Sequence, residues 1–169
     1  HWRSYISEQL PDWDLYLALR EAFRGGNTHA NRFYSKRILR NVHSVDRSSS
    51  YPDVLVNCKF PVSQFSRRGP ITQDRLEINI KVHHKAAVVR IRMQHVFLLD
   101  EWTGCPYLTK DKCRHIIGGV FDNGRILSAD YLETTLTDID YEIVRSQYAG
   151  DVEIMDSWFA RYGYLPDEF

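Results

Sequence analysis

Cysteine is scarce in this chain, and its spacing excludes the usual structural roles of the residue. Only three cysteines occur among 169 residues, and no two of them form a C-x-x-C pair. The odd count and wide spacing argue against a disulfide scaffold and favour a reducing compartment. Cys105, Cys113 and His115 resemble part of a zinc site, but a fourth ligand and compact pairing are missing. The neighbours His83 and His84 would point to opposite faces of a strand, so they do not suggest a metal site either.

Long apolar runs are also absent. No segment approaches the roughly 20 apolar residues that span a bilayer, and no signal-peptide pattern is visible in these residues. We therefore expect a cytoplasmic protein with no membrane partner. Because the first residue is His1 rather than Met, we expect the chain to be a piece of a longer protein.

Neither sign of charge dominates the chain. It has 22 basic and 22 acidic residues and a formal net charge of zero. A protein that works only on nucleic acid is usually basic. The charges are unevenly spread, however, because residues 20–92 carry most of the arginines and the last third is rich in acids. This distribution is compatible with local DNA binding.

Residues 46–52, with the sequence D-R-S-S-S-Y-P, are the most informative segment. An aspartate at the end of a strand, followed by a tight turn and a helix, can present its carboxylate to Mg²⁺ in a nucleotide-handling enzyme. Tyr51 follows Asp46 at a distance where an aromatic ring can pack beside a bound sugar. The alternative is a strand, a serine-rich turn and a buried tyrosine. These seven residues alone do not decide between the two.

A pair of glycines lies upstream, in the sequence Phe23-Arg24-Gly25-Gly26. Paired glycines let a backbone approach a ligand closely, and Arg24 suits a phosphate contact. On its own this segment is more often an ordinary turn.

The two segments together, [YF]-x-G-G and then D-x-x-S-x-Y-P, resemble the protein-primed family B DNA polymerases of bacteriophages. Phe23 stands where a tyrosine is common in that family, and Ser50 stands where an apolar residue is common. The resemblance runs from Ala22 to the C-terminus. It continues in the family's order through Cys105-Pro106-Tyr107-Leu108, the basic run through Arg114, Gly118-Gly119 and residues 135–140.

The resemblance implies a role for each of these residues. Asp46 matches a catalytic aspartate that binds Mg²⁺, and Arg47 would offer its backbone carbonyl. Ser49 and Tyr51 would lie near the incoming deoxynucleoside triphosphate, with Tyr51 crowding the ribose 2′ position. The DNA primer-template would contact the glycine segment, Phe23, Arg24, Gly25 and Gly26.

Other parts of such a polymerase are missing. No Y-x-D-T-D motif supplies a second catalytic aspartate, and the lysine-bearing helix that binds the triphosphate is absent. We therefore expect a fragment, inactive alone, of a phage or mobile-element polymerase from a bacterial host. Residues 1–21 would end the exonuclease region, 22–57 would begin the palm, and 58–169 would form an insertion that docks terminal protein and DNA.

Within that insertion, the basic run Lys110, Lys112 and Arg114 would contact phosphates or an acidic terminal protein, unless it is a solvated loop. A different class of function stays open. In that alternative, Asp46 only caps a turn, and the part from Cys58 onward is a non-catalytic α+β module that binds protein or nucleic acid.

The hydrophobic patterns predict an α+β fold with a mostly antiparallel sheet. Helices are predicted over residues 14–23 and 52–57. Another helix should start at Thr137, with a capping box to Asp140, an apolar side of Ile139 and Ile143, and an end at Gly150. Strands are predicted over residues 38–45, 76–82, 88–99 and 152–162, with a hairpin at Asn123-Gly124. Trp102, Trp158 and Phe159 are expected in the core.

Overall fold

The structure is a computed structural model that describes residues 12–25, 30–46 and 48–165. The described part has an α+β fold, as predicted. Its four α-helices are α1 (Trp13–Ala22), α2 (Ser50–Asn57), α3 (Gln73–Glu77) and α4 (Asp138–Gln147). Its seven strands are β1 (Phe60–Pro61), β2 (Ser66–Arg67), β3 (Lys85–Leu98), β4 (Cys113–Ile117), β5 (Val120–Asp122), β6 (Arg125–Thr137) and β7 (Tyr148–Gly163).

The strands form one antiparallel sheet in the order β1-β7-β3-β6-β4, with β2 paired to β7 and β5 paired to β6. The predicted hairpin joins β5 to β6. Asn123 and Gly124 both have positive φ, 46° and 76°, which matches the left-handed backbone that a tight two-residue hairpin turn requires. The antiparallel sheet and the hairpin are therefore confirmed.

Helices cover both faces of the sheet. On one face, α3 and α4 pack Leu76 and Tyr141 into a cluster with Val89, Ile91 and Met93. On the other face, α1 buries its apolar side against Val88 and Trp158. Since successive side chains of a strand point to opposite faces, β3 supplies residues to both clusters. The buried positions of Trp158 and Phe159 confirm their prediction as core residues.

The helix predicted after Thr137 is present, but it buries a different side. Thr137 and Asp140 form the predicted capping box. Ile139 is 60% exposed, whereas Tyr141 and Val144 are buried. Asp138 explains the rotation, because its carboxylate accepts hydrogen bonds from the Ala87 backbone and the Tyr162 hydroxyl and so faces the sheet. The helix also ends at Gln147, and Gly150 belongs to β7.

The strand predicted over residues 76–82 is wrong. Those residues are helical, first in α3 and then in a π-helical turn, Ile78–Val82. Thr72 caps α3 by accepting a hydrogen bond from the Arg75 backbone. Leu76 and Ile80 are the two buried residues of the segment. Their spacing of four fits one face of a helix as well as one face of a strand, so the alternation was ambiguous.

The strand predicted over residues 38–45 is also wrong. This segment belongs to no strand, bends at residues 40–41 with Asn41 at a φ of 57°, and exposes Ile38, Val42 and Val45. A strand needs a neighbour for its backbone hydrogen bonds, and no strand of the described residues lies beside it. Trp102 is likewise not in the core, since it is 71% exposed and contacts the Phe33 ring at a centroid distance of 5.4 Å.

Candidate nucleic-acid interface

Arg24 anchors the glycine segment to the sheet. It follows α1 directly, and its Nη2 donates to Thr134 Oγ1 at 3.1 Å and to the Thr135 carbonyl at 3.5 Å. Its guanidinium carbon lies 5.5 Å from the centroid of the Tyr107 ring. Only 13% of the side chain is exposed. Arg24 therefore fixes where the chain leaves α1, and most of its surface is turned inward.

The side chains of Tyr107 and Asp140 lie next to Arg24. The Tyr107 hydroxyl donates to Asp140 Oδ1, and Arg24 Nε lies 3.8 Å from Asp140 Oδ2. Burial raises the pKa of Tyr107 to about 12, and its hydrogen bond to Asp140 adds to this effect. The capping residue of α4 is thus linked to the glycine segment through two polar side chains.

A small cavity joins the glycine segment to the basic run. Its volume is about 160 Å³, and its lining includes Arg24, Gly25, Lys112 and Arg125. A Cβ atom added at Gly25 would meet no atom of the described residues within 4 Å, and its φ is not in the left-handed region. The fold therefore does not demand glycine at this position. The open space above Gly25 is large enough for a ligand to approach the backbone.

A larger groove of about 420 Å³ adjoins this cavity and shares Asp111 and Lys112 with it. Glu21 of α1 lies within it and holds three partners. Glu21 Oε2 accepts from Arg90 Nε at 3.2 Å and from Thr135 Oγ1 at 2.8 Å, and Glu21 Oε1 lies 2.9 Å from Arg114 Nη2. Desolvation raises the pKa of Glu21, but the Thr135 hydrogen bond and the charges of Arg90 and Arg114 outweigh it, so the pKa is lowered.

The three residues of the basic run differ in their partners. Arg114 is exposed over 66% of its side chain and pairs with Glu21. Lys110 lies 5.3 Å from the centroid of the Phe121 ring. Within the described part of the chain, neither Lys110 nor Lys112 forms an ion pair with a carboxylate. Asp111 lines the same cavity and interacts electrostatically with Lys112, so Lys110 is the lysine that lies furthest from carboxylate pairing.

The aspartate motif lies elsewhere, and the structure does not bring it into contact with the basic run. Asp46 is exposed and belongs to no helix or strand. Ser49 precedes α2 with a left-handed φ of 54°, and Tyr51 in the first turn of α2 is 84% exposed. The predicted helix after Asp46 is confirmed, whereas the strand before it is not. Arg47 and Gly26 lie outside the described residues.

One carboxylate does not make a Mg²⁺ site. Asp46 is an oxygen ligand of the type that Mg²⁺ prefers, and its exposure leaves it accessible. Among residues 12–25, 30–46 and 48–165, no three His, Cys, Asp or Glu side chains cluster closely enough to hold a metal. Cys113 is buried, and burial raises the pKa of its thiol to about 11.

Sequence reasoning missed the residues that organise this interface. Glu21, Arg90 and Thr135 belong to three different elements, and no local motif connects them. Tyr107 and Asp140 were each part of a family-like segment, but nothing in either segment predicts that their side chains meet. The sequence carries no local signal for these contacts, since α1 has one arginine and β3 has two.

Comparison with known proteins shows which known fold this chain shares. The sequence matches no protein-family model and no curated protein. The described structure, by contrast, has the fold of a segment of a DNA polymerase. The matching structures are of Phi29 DNA polymerase. In its complex with primer-template DNA and incoming nucleotides the TM-score is 0.65 at 15% identity, and the match covers 91% of this chain and 25% of that one.

A second match has the same fold. Phi29 DNA polymerase in its post-translocation complex with primer-template DNA gives a TM-score of 0.55 at 14% identity, over 90% of this chain and 24% of that one. The present chain thus spans about a quarter of the polymerase chains that it matches. No helix in the described ranges has both the length and the apolar character to cross a membrane.

Proposed function

We propose that this chain is part of a protein-primed family B DNA polymerase and that it docks DNA and a terminal protein there. The fold shared with Phi29 DNA polymerase supports this assignment. The observation that carries the docking role is the cavity in which Gly25 and Lys112 meet. Two segments that are far apart in sequence, each a candidate DNA contact, form one surface.

The chemistry of this surface suits a phosphate backbone. Lys110 and Lys112 form no ion pair with a carboxylate of the described residues, although the Asp111 carboxylate is near Lys112, and counterion release makes lysine contacts favourable on DNA. Gly25 adds a point where a backbone comes close without a side chain in the way. An acidic face of a terminal protein would engage the same lysines.

Asp46 has a separate role in this proposal. It supplies one carboxylate to Mg²⁺ in the complete polymerase, beside Arg47, Ser49 and Tyr51 near the deoxynucleoside triphosphate. The exposed Tyr51 ring at the start of α2 is free to contact a sugar. The exposed apolar side chains of Ile38, Val42 and Val45 suit a neighbouring strand from a longer parent, which would also bring the second carboxylate.

A binding module without chemistry is the second candidate. It is favoured by the setting of Asp46, because no cluster of three potential ligands exists in the part of the chain that the structure describes. In that case Asp46 contributes only to the turn before α2, and the docking surface is the whole function.

Docking can be tested with a labelled primer-template and the full chain. Lys110→Gln with Lys112→Gln should weaken binding and reduce the slope of log affinity against log salt by about 1.8, since each lost duplex phosphate contact contributes about 0.9. Gly25→Ala should also weaken binding while leaving the melting temperature unchanged. Lys81→Gln, which removes a charge already paired with Glu77, is the control. Unchanged binding by both folded test variants would remove this surface from the DNA interface.

The catalytic role needs a polymerase that contains this chain. There, Asp46→Asn should abolish primer extension while DNA binding persists. Glu142→Gln, an exposed carboxylate on α4, is the control and should extend normally. Normal extension by the Asp46→Asn polymerase would exclude Asp46 from catalysis and leave the binding module.

A further inference from the structure

A third cavity, of about 1010 Å³, lies where β3 begins, β7 ends and α4 begins. Five basic side chains line it, together with a single carboxylate, that of Asp138. It shares no lining residue with the two cavities of the candidate interface. The basic residues are Lys59, His83, His84, Lys85 and Arg161.

The carboxylate in this cavity is held by neutral donors and forms no ion pair with the basic residues. Asp138 is only 7% exposed, and both of its oxygens are engaged, Oδ1 by the Ala87 N–H at 3.0 Å and Oδ2 by the Tyr162 hydroxyl at 2.8 Å. Lys85 donates to the neutral amide of Asn79 at 3.0 Å, and Lys59 lies 5.8 Å from the centroid of the Tyr164 ring. None of the five basic side chains forms an ion pair with another described residue.

The backbone beside the cavity is irregular in a way that places both histidines in it. The π-helical turn ends at His83, and His84 has a left-handed φ of 48°. Adjacent residues on a strand would point to opposite faces, but this change of backbone conformation lets His83 and His84 line the same cavity. Both π-helical turns and left-handed non-glycine residues are costly and recur at functional sites.

We propose that this cavity binds phosphate groups and that a nucleic-acid strand is their source. Lysine and arginine donate charge-assisted hydrogen bonds to phosphate oxygens, and the imidazole N–H of histidine can donate to them as well. The cavity is wide enough for more than one phosphate, and none of its basic side chains forms an ion pair with a described residue. The residues of the cavity are sufficient to argue that it binds phosphate. The further step, that the phosphate belongs to a nucleic acid, rests on the proposed function.

The histidines provide a direct measurement. Imidazole signals of the full chain can be followed by NMR during titration with a single-stranded DNA oligonucleotide and, separately, with inorganic tripolyphosphate. His83 and His84 should shift with both ligands. His115, beside Arg114, reports on the candidate interface, and His95, which contacts Asp151 at 3.0 Å, serves as a remote control. Unmoved His83 and His84 signals in both titrations would overturn the proposal.

Variants then test the charge requirement. Lys85→Gln with Arg161→Gln should reduce the salt slope of single-stranded DNA binding by about 1.4, because each lost contact contributes about 0.7. Lys81→Gln with Arg145→Gln removes two charges from the adjoining π-helical turn and α4 but not from the cavity, and should leave the slope unchanged. An unchanged slope in the Lys85 and Arg161 variant would refute the nucleic-acid source.

The outcomes separate this proposal from the proposed function. A DNA response at His115 without one at His83 and His84 would leave the docking function standing and reject the nucleic-acid source for this cavity. A DNA response at His83 and His84 without one at His115 would reject the interface at the basic run and support the cavity. A response to tripolyphosphate alone would support the phosphate site and assign it to a free polyphosphate.

Discussion

Arg114 Nη2 lies 2.9 Å from Glu21 Oε1, so β4 and α1 are joined at the edge of the candidate interface. Arg90 and Thr135 hold the other oxygen of the same carboxylate. Glu21 therefore competes with any external anion for Arg114.

Removal of that competitor should strengthen DNA binding. In Glu21→Gln, Arg114 loses its internal partner and gains freedom to contact a phosphate. We expect tighter binding of a primer-template and a salt slope that is steeper by about 0.9, the value of one added duplex contact. The control is Glu142→Gln, which makes the same change of charge on an exposed face of α4. Equal behaviour of the two variants would mean that Glu21 does not compete for Arg114.

Glu21 should also contribute to acid sensitivity. Its pKa in the folded state is lowered from the ordinary value of 4.5. The unfolded chain therefore takes up the proton first as pH falls, and the stability due to ionised Glu21 is lost as pH drops through its folded pKa. Urea unfolding between about pH 5 and pH 3 should show a smaller loss of stability for Glu21→Gln than for the original chain. A parallel loss in both proteins would contradict this expectation.

Tyr107 should have the opposite pH dependence. Its folded pKa of about 12 lies above the ordinary value of 10.0, so the unfolded chain ionises first as pH rises. Stability should fall between those two values, and Tyr107→Phe should lose less of it over the same range. Near neutral pH the variant should be less stable by about 2 kcal/mol, the typical contribution of a hydrogen bond to a charged group. Ultraviolet titration of the phenols and chemical unfolding measure the two effects.

Two tryptophans offer a matched test of the core. Trp158 is fully buried, with the guanidinium carbons of Arg67 and Arg90 each 5.4 Å from its ring centroid. Trp158→Ala should cost about 3–5 kcal/mol of unfolding free energy. Trp102→Ala removes the same side chain from an exposed site and should change stability by about 0.5 kcal/mol or less. If urea titrations gave the two variants similar losses of unfolding free energy, Trp158 would not be a core residue.

The parts of the fold that were predictable are those with local causes. The hairpin at Asn123-Gly124 depends on the backbone preferences of two residues, and the capping box depends on Thr137 and Asp140 three positions apart. The strand prediction for residues 76–82 was wrong because the spacing of the two buried positions, Leu76 and Ile80, fits one face of a helix as well as one face of a strand. The strand prediction for residues 38–45 was wrong because strand formation depends on a neighbouring strand, which a local pattern does not specify.

The candidate site was predictable only in its separate pieces. Arg24, Gly25 and Lys112 were each selected from motifs, but their meeting at one cavity depends on how α1 packs against β6. The partnership of Glu21 with Arg114 has no sequence signal at all. The pair of histidines was set aside because neighbours on a strand point to opposite faces, and the π-helical turn before them changes that geometry.

The unpaired apolar segment before Asp46 has a consequence for handling the protein. Ile38, Val42 and Val45 present apolar side chains beside backbone groups that no described strand satisfies. An unpaired apolar segment of this kind can take up strand pairing with another molecule. We therefore expect the chain to self-associate as its concentration rises, with intermolecular β-structure that involves residues 38–45, and a charged substitution such as Val42→Lys to keep it monodisperse.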